Sequence, residues 1–353
     1  MRITYSETVV MYNLNKIHGE RTIYSLYHLF QGKRSSQTIQ DAHLYQLTPF
    51  FHSYPSMTRS WLENTVEALI KKGLVEEIAE TKVILSANGK EVLENQLAHE
   101  PLPLFLNGWK YHQVTDVFWE RLTLLIQVCS NLVHREKSFI PVRNKKDTLT
   151  WVKQFISQQK EDRYQLAERL YRELVLSLDN PNTRPELIVV RFTGFGKIGL
   201  TPVQAAELAG VESVHYYFEF LNALHALFDR ILEEPSCYPL LTGLIKHADQ
   251  EVPLTISTEK TYRFLQKGYL IEEIAAARKL KESTIEDHIV EIILTIKDFS
   301  IDPYVAREKQ QRILQAARKI SARQLKQIKE RVQDASYFEI RLVLGKFGDV
   351  EWN

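Results

Sequence analysis

The chain has 353 residues, 44% hydrophobic and 25% charged, with 45 Lys and Arg against 44 Asp and Glu for a formal net charge of +1. That length allows two or three domains with sizeable cores, and the near-neutral balance excludes a molecule that attracts nucleic acid over its whole surface, so any such binding must come from a local patch. No apolar run approaches the roughly 20 residues of a membrane helix, the first 20 residues lack the basic region and apolar core of a secretion signal, and Cys129 and Cys237 offer neither a disulfide framework nor a metal-ligand spacing, which together predict a cytoplasmic protein.

Along the chain, helical periodicity dominates. Residues 20–31 place Ile23, Leu26, Leu29 and Phe30 on one face, and residues 58–72 do the same with Leu62, Val66, Leu69 and Ile70. Gly73 stops that second helix. Leu74-Val75 and Val83–Leu85 then read as two short strands joined by a charged turn, and Asn88-Gly89 opens another helix. Helices followed by a small antiparallel wing describe a winged helix, and "LIKKGLVEEI…ETKVILSANGKEVL" resembles the recognition helix, wing and last helix of that superfamily. Residues 1–100 are therefore expected to form a winged-helix-like domain.

Residues 101–110, with two prolines and a glycine, read as a linker into a helical middle domain over 101–250. Its long amphipathic helices are broken at "FIPVRNKKD" and "LDNPNTRPE". Within it, Gly194-Phe-Gly196-Lys-Ile-Gly199 has the spacing of a dinucleotide-binding loop. Such a loop needs a parallel sheet and an acidic residue at a strand end about 20 positions on. The segment that follows, "ESVHYYFEFLNALHALFDRIL", has helical periodicity instead, with Tyr217, Leu221, Leu224 and Phe228 on one face. A capping Thr201, Pro202 in the first turn, small Ala205 and Ala206, and a Gly210-Val211 turn are the layout of a helix-turn-helix over 200–222. Its second helix presents aromatics and Glu212 rather than Arg or Asn, which favours a structural or protein-binding role.

Residues 258–294, "TEKTYRFLQKGYLIEEIAAARKLKESTIEDHIVEIIL", read as three helices. The first begins at Thr258-Glu259 and ends at Gly268. The second is Ile271–Arg278 with Ile274, Ala275 and Ala276 at its crossing face, and Leu280 plugs the turn. The third is capped by Ser283 with Glu286 in a capping box, and buries Ile285, Ile289 and Ile292. Gly268, Glu272-Glu273-Ile274-Ala275, Arg278 to Leu280, Ser283-Thr284-Ile285, His288 and Ile289 follow the pattern of the helicase-associated helix-turn-helix domain at the C-terminus of some RecQ-type DNA helicases, which this stretch resembles. Lys279 departs from it, standing where that family has a turn glycine. The resemblance runs over roughly the last quarter of the chain, expected as a domain over 251–353. The full layout, with no helicase motor before it, resembles the YpbB-type proteins of Firmicutes. The resemblance implies a RecQ-type helicase as partner.

A groove-reading helix exposes Arg, Lys, Asn or Gln, but the third helix here carries Glu282, Glu286, Asp287 and Glu291 beside Lys281 and His288. Glu282, Asp287 and Glu291 are accordingly expected to dock protein. Behind it, Arg307, Lys309, Arg312, Arg318, Lys319, Arg323, Lys326 and Lys329 lie on two amphipathic helices, with Arg331 next to them, and are the expected phosphate contacts. Ile313, Ala317 and Ile320 form one apolar stripe there, and Leu325, Ile328 and Val332 another, after a Ser321/Gln324 capping box. No catalytic, metal-binding or cofactor motif is apparent. The chain is thus expected to be mainly α, multi-domain and non-enzymatic: a nucleoid-associated DNA-binding adaptor acting with a RecQ-type DNA helicase in repair or replication. The alternative is a winged-helix transcription regulator with a specific operator.

Overall fold

The computed structural model describes residues 3–245, 254–296, 298–319 and 325–347. Among them are eighteen α-helices, one 3-10 turn and one two-stranded antiparallel sheet. The mainly α, multi-domain architecture is the one the periodicity predicts. The chain folds into two compact units, one within residues 1–8 and 96–251, the other within 9–95 and 252–353. The N-terminal and C-terminal segments, expected as separate domains, are thus parts of one unit.

The N-terminal segment holds α1 (Tyr5–Ile17), α2 (Tyr24–Phe30), α3 (Ser36–Leu44), α4 (Arg59–Lys71), β1 (Val75–Ala79), β2 (Lys82–Leu85) and α5 (Ala87–His99). Helix α4 is the one the periodicity locates. Thr58 caps it by accepting the Trp61 N–H at 3.1 Å, and Leu62, Val66 and Leu69 are buried. Ile70, assigned to the same face, is exposed instead, because a 3.6-residue period carries it past the edge of the buried stripe. The strands pair with Val75 opposite Leu85 and Glu77 opposite Val83, with a bulge before Ala79, so helices followed by a wing are what the structure contains. Ser86 opens α5 by accepting the Gly89 N–H at 3.0 Å.

The middle segment is a helical bundle of α6 (Gly108–Val133), α7 (Lys146–Ser157), α8 (Arg163–Leu178), α9 (Glu186–Val189), α10 (Pro202–Ala209), α11 (Ser213–Glu233) and α12 (Pro239–Ile245). Phe118, Leu122, Tyr216, Leu224 and Phe228 are buried at its centre. The expected linker is pinned to it. The Phe105 N–H donates to Asn222 Oδ1 at 2.8 Å, and the Asn107 N–H to His225 Nδ1 at 3.0 Å.

The glycine-rich stretch follows α9, a single helical turn, and not a strand. Gly194 and Lys197 pair as a tight hairpin, and Gly199 lies so close to the backbone that a Cβ would meet the Arg191 carbonyl oxygen at 2.2 Å. Thr201 and Gln204 then form a reciprocal capping box, and Gly210 ends α10 at φ +68°. A helix-turn-helix of α10 and α11 results, with Ala205 and Ala206 buried at the crossing. Glu212 does not stand free on its second helix: its carboxylate accepts the N–H groups of Tyr5 at 2.8 Å and Ser6 at 3.4 Å, capping the start of α1.

The C-terminal segment comprises α13 (Ile256–Leu265), α14 (Ile271–Arg278), α15 (Glu282–Thr295), α16 (Arg307–Arg318), α17 (Leu325–Arg331) and α18 (Tyr337–Phe347). Ile274, Ile285, Ile289, Ile313, Ile328 and Val343 share its core.

Candidate nucleic-acid interface

The three helices α13, α14 and α15 form the trihelical unit that the local signals predict, and the motif residues tie it together. Thr261 Oγ1 lies 2.8 Å from His288 Nδ1, and the Arg278 guanidinium donates to both Thr261 and, at 2.9 Å, the Ser257 carbonyl. Burial, with Arg278 adjacent, pushes the His288 pKa down to about 4, so its ring is neutral near pH 7. The turn between α14 and α15 is taken by Lys279 at φ +54°, the left-handed conformation that a glycine adopts without cost. The start of α15 differs from the expected capping box. The helix begins at Glu282, with Lys281 at the cap position and no side-chain cap bond, so Ser283 is already inside it. The Glu cap belongs one helix earlier, where the Glu273 carboxylate accepts the Leu270 N–H at 2.8 Å.

Helix α15 is not a free recognition helix. It packs against α13, α14 and α18, and on a further side against α3 of the N-terminal segment. From Thr284 onward none of its residues is exposed, leaving Glu282 and Ser283 in the first turn at the surface. The three acidic residues therefore have different fates. Glu291 is fully buried and accepts from the Thr255 N–H at 2.6 Å, Thr255 Oγ1 at 3.1 Å and Thr258 Oγ1 at 2.6 Å, so it fixes the start of α13. Asp287 accepts from Arg341 at 2.6 Å, and the same guanidinium donates to Gln40 of α3 at 2.9 Å. A docking role for Glu291 is overturned by its burial, and Asp287 already docks this chain's own N-terminal segment. Glu282 is the exposed member of the three.

Arg307 pairs with Asp302 at 3.1 Å, Lys309 with Glu339 at 2.9 Å, and Arg312 with Asp334 at 2.6 Å. The Arg312 guanidinium holds the Asp334 carboxyl below the usual carboxylate range. Lys309 and Arg312 thus tie α16 to α18 and the turn before it, and Arg307 reaches back to the turn before α16, while Arg307 and Arg312 stay exposed. Arg318 and Lys319 at the end of α16, and Lys326 and Arg331 on α17, are exposed. Lys329 is half-buried and donates to the Gln333 carbonyl at 2.6 Å. Arg323, Ile320 and the Ser321/Gln324 cap lie outside the described residues. Of the apolar stripes, Ile313, Ile328 and Val332 are buried, and Ala316 takes the buried position in α16 with Ala317 at its edge.

In the N-terminal segment, α4 exposes Arg59, Ser60, Asn64, Glu67 and Lys71. Arg59 stacks over the rings of Tyr24 and Tyr27 at 5.3 and 5.4 Å. The wing presents Glu76, Glu77 and Glu80 to solvent. Its tip is held down by the Ile23 N–H donating to the Thr81 carbonyl at 2.8 Å. An acidic wing repels phosphates, which sequence reading missed although the run "VEEIAE" carries it.

A trihelical domain with an αL turn, joined to helices that carry exposed cations, defines a helix-turn-helix protein, a class of fold that binds DNA. The family model described as "Helix-turn-helix domain" matches residues 257–344. Protein YpbB of Bacillus subtilis (strain 168) is 35% identical over 350 residues, 98% of each chain. The chain belongs to the family of Protein YpbB. No solved structure matches it.

Proposed function

We propose that the chain is a non-enzymatic adaptor that binds DNA without sequence preference and works with a RecQ-type helicase in DNA repair or replication. The observation that carries the DNA-binding part is the exposure of Arg318, Lys319, Lys326 and Arg331, four cations that reach solvent from the end of α16 and from α17, two helices that pack together. Exposed cations of this kind contact phosphates and carry no base information. The enclosure of α15 supports sequence-independent binding, because a helix covered on its outer side cannot lie in a major groove. The helicase partnership rests on the likeness of the C-terminal motif to helicase-associated domains, and co-purification of the intact chain with a RecQ-type helicase tests it.

A second reading, operator recognition by the winged helix, is favoured by Ser60, Asn64 and Lys71, which line the exposed side of α4 and include base-reading types. The wing's three glutamates weigh against it. Binding measurements on several unrelated duplexes separate the two: equal affinities support the adaptor, and a single preferred sequence lost in Asn64→Ala supports the regulator.

A further inference from the structure

The unit built from residues 1–8 and 96–251 holds an acidic group that takes no part in the proposed DNA contacts. Glu212, His215 and Glu219 stand at i, i+3 and i+7 from the cap of α11 onward, a spacing that puts them on one helical face. Tyr5, the first residue of α1, lies against that face. Its ring stacks on His215 with centroids 4.0 Å apart and planes within 1° of parallel, and its N–H donates to Glu212 at 2.8 Å. Glu100, just after α5, closes the group with Oε1 3.6 Å from His215 Nε2. Tyr5 is only 5% exposed, and its buried hydroxyl has no hydrogen-bond partner among the described residues. The charges acting on that hydroxyl are, in falling order, Glu219, Glu100 and Glu212, which together with burial push the phenol up. The hydroxyl therefore points among the carboxylates and stays protonated. A buried polar atom without a partner is unfavourable, and it marks a place where a partner belongs.

Two of the three carboxylates lack a cation as well. Glu212 is taken up in capping α1. Glu100 Oε2 accepts from the Gln96 amide at 3.0 Å, and Glu219 is bonded by the Asn222 amide. Those partners are neutral, and so is His215 near pH 7, because burial lowers its pKa. Among the described residues neither Glu100 nor Glu219 forms an ion pair with Lys or Arg. Arg184 acts on Glu219 and His215 through space, but its guanidinium pairs with Glu186 at 2.9 Å. Burial, with the Glu100 charge adding to it, pushes the Glu219 carboxyl above the usual carboxylate range. A cation placed between the two carboxylates relieves this, since an opposite charge at close range favours the ionised form.

We infer that this hollow binds a primary alkylammonium ion between Glu100, Glu219 and the Tyr5 hydroxyl. An –NH3+ group has three N–H donors, and two carboxylates with one phenol oxygen supply three acceptors. The Glu100 side chain, 42% exposed, is the outer wall, where the alkyl stem of the ligand reaches solvent. A metal ion is the poorer match, because no three acidic, His or Cys side chains among the described residues are placed to share one. A quaternary ammonium carries the charge but has no N–H to give the orphan hydroxyl. The site stands apart from the DNA-binding cations and from the identity of any helicase.

The test is isothermal titration of the full chain with the chloride salts of n-butylammonium, tetramethylammonium and magnesium at one ionic strength. Butylammonium is expected to bind saturably, and tetramethylammonium at least about tenfold more weakly. Glu219→Gln is expected to abolish butylammonium binding, and Tyr5→Phe to weaken it about tenfold. Without ligand, Tyr5→Phe is expected to leave the thermal midpoint unchanged or higher, since the hydroxyl has no contact to lose, and this separates a lost ligand contact from a damaged fold. Putrescine or Nα-acetyl-lysine amide binding more tightly than butylammonium would uphold the site and assign its source, a free polyamine or a lysine side chain. Absence of saturable butylammonium binding, equal binding of the two ammonium ions, tighter binding of magnesium, or a lowered midpoint in Tyr5→Phe would overturn the inference.

Discussion

Lys279 sits at φ +54° in the turn of the helix-turn-helix with its side chain in solvent. A residue with a Cβ is strained there by about 1–2 kcal/mol, while glycine, free of that strain, costs roughly 0.5–1 kcal/mol more in entropy to order. The strain outweighs the entropy, so Lys279→Gly is expected to raise stability by roughly 0.5–1 kcal/mol, seen as a higher urea midpoint with an unchanged slope. The buried histidines tie stability to pH. Burial pushes His225 down to about 3 and His288 to about 4. His225 accepts the Asn107 N–H through Nδ1, which leaves Nε2 to donate to Thr115 at 3.3 Å. Both are neutral in the folded chain, whereas in the unfolded chain they take a proton near pH 6.5. Their stabilising contribution is thus full above pH 6.5 and is lost as the pH falls through 6.5 toward 4. The thermal midpoint measured across this window is expected to fall with pH, and His288→Gln is expected to flatten the curve. An equally steep curve in that variant would place the dependence elsewhere.

At the level of elements, the acidic helix α15 shows what periodicity carries and what it does not. Ile285, Ile289 and Ile292 repeat at helical spacing and are all fully buried, so the inward face is legible in the sequence. The opposite face is not, because its cover comes from α3, some 250 residues earlier, and Gln40 of α3 is tied through Arg341 to Asp287. A sequence does not say which distant helix will cover a face, and here part of the cover is made by polar groups, Gln40 and Asp287 joined through Arg341. The same reason hides Glu291, whose hydrogen bonds to Thr255 and Thr258 only the fold brings together. Helices α1 and α3 also escape a reading of periodicity. The strongest local signals hold: Gly73 and Gly210 end helices, and Thr201 begins one, as their chemistry predicts. Glu291→Ala is expected to cost about 1–3 kcal/mol, because it strands a buried N–H and hydroxyl. Glu282→Gln, at the exposed first turn, is expected to stay within about 0.5 kcal/mol. Chemical denaturation of the two variants side by side checks the pair.

Over the whole molecule, residues from both terminal segments of the chain build one unit, and this governs how the protein can be dissected. Removing residues 252–353 would take α15 and α18 away from α3, against which both pack, and a truncated chain is expected to lose N-terminal structure along with any partner site. Point variants on the surface are the sounder probes. Reversing Lys309 or Arg312 breaks ion pairs within the domain and is expected to loosen it. Reversing Arg318, Lys326 and Arg331 changes exposed positions, and the helical content should persist.

DNA binding through the exposed cations of α16 and α17 is best probed by the salt dependence of affinity for unrelated duplexes and a fork, with the intact chain and with Arg318→Glu, Lys326→Glu and Arg331→Glu combined. Equal affinities across sequences are expected in the intact chain, and in the variant a uniform loss with the log–log salt slope reduced by about 0.9 for each phosphate contact removed. An unchanged slope in the variant, with binding to one preferred sequence abolished instead by Asn64→Ala, would contradict this and assign the DNA contact to the winged helix.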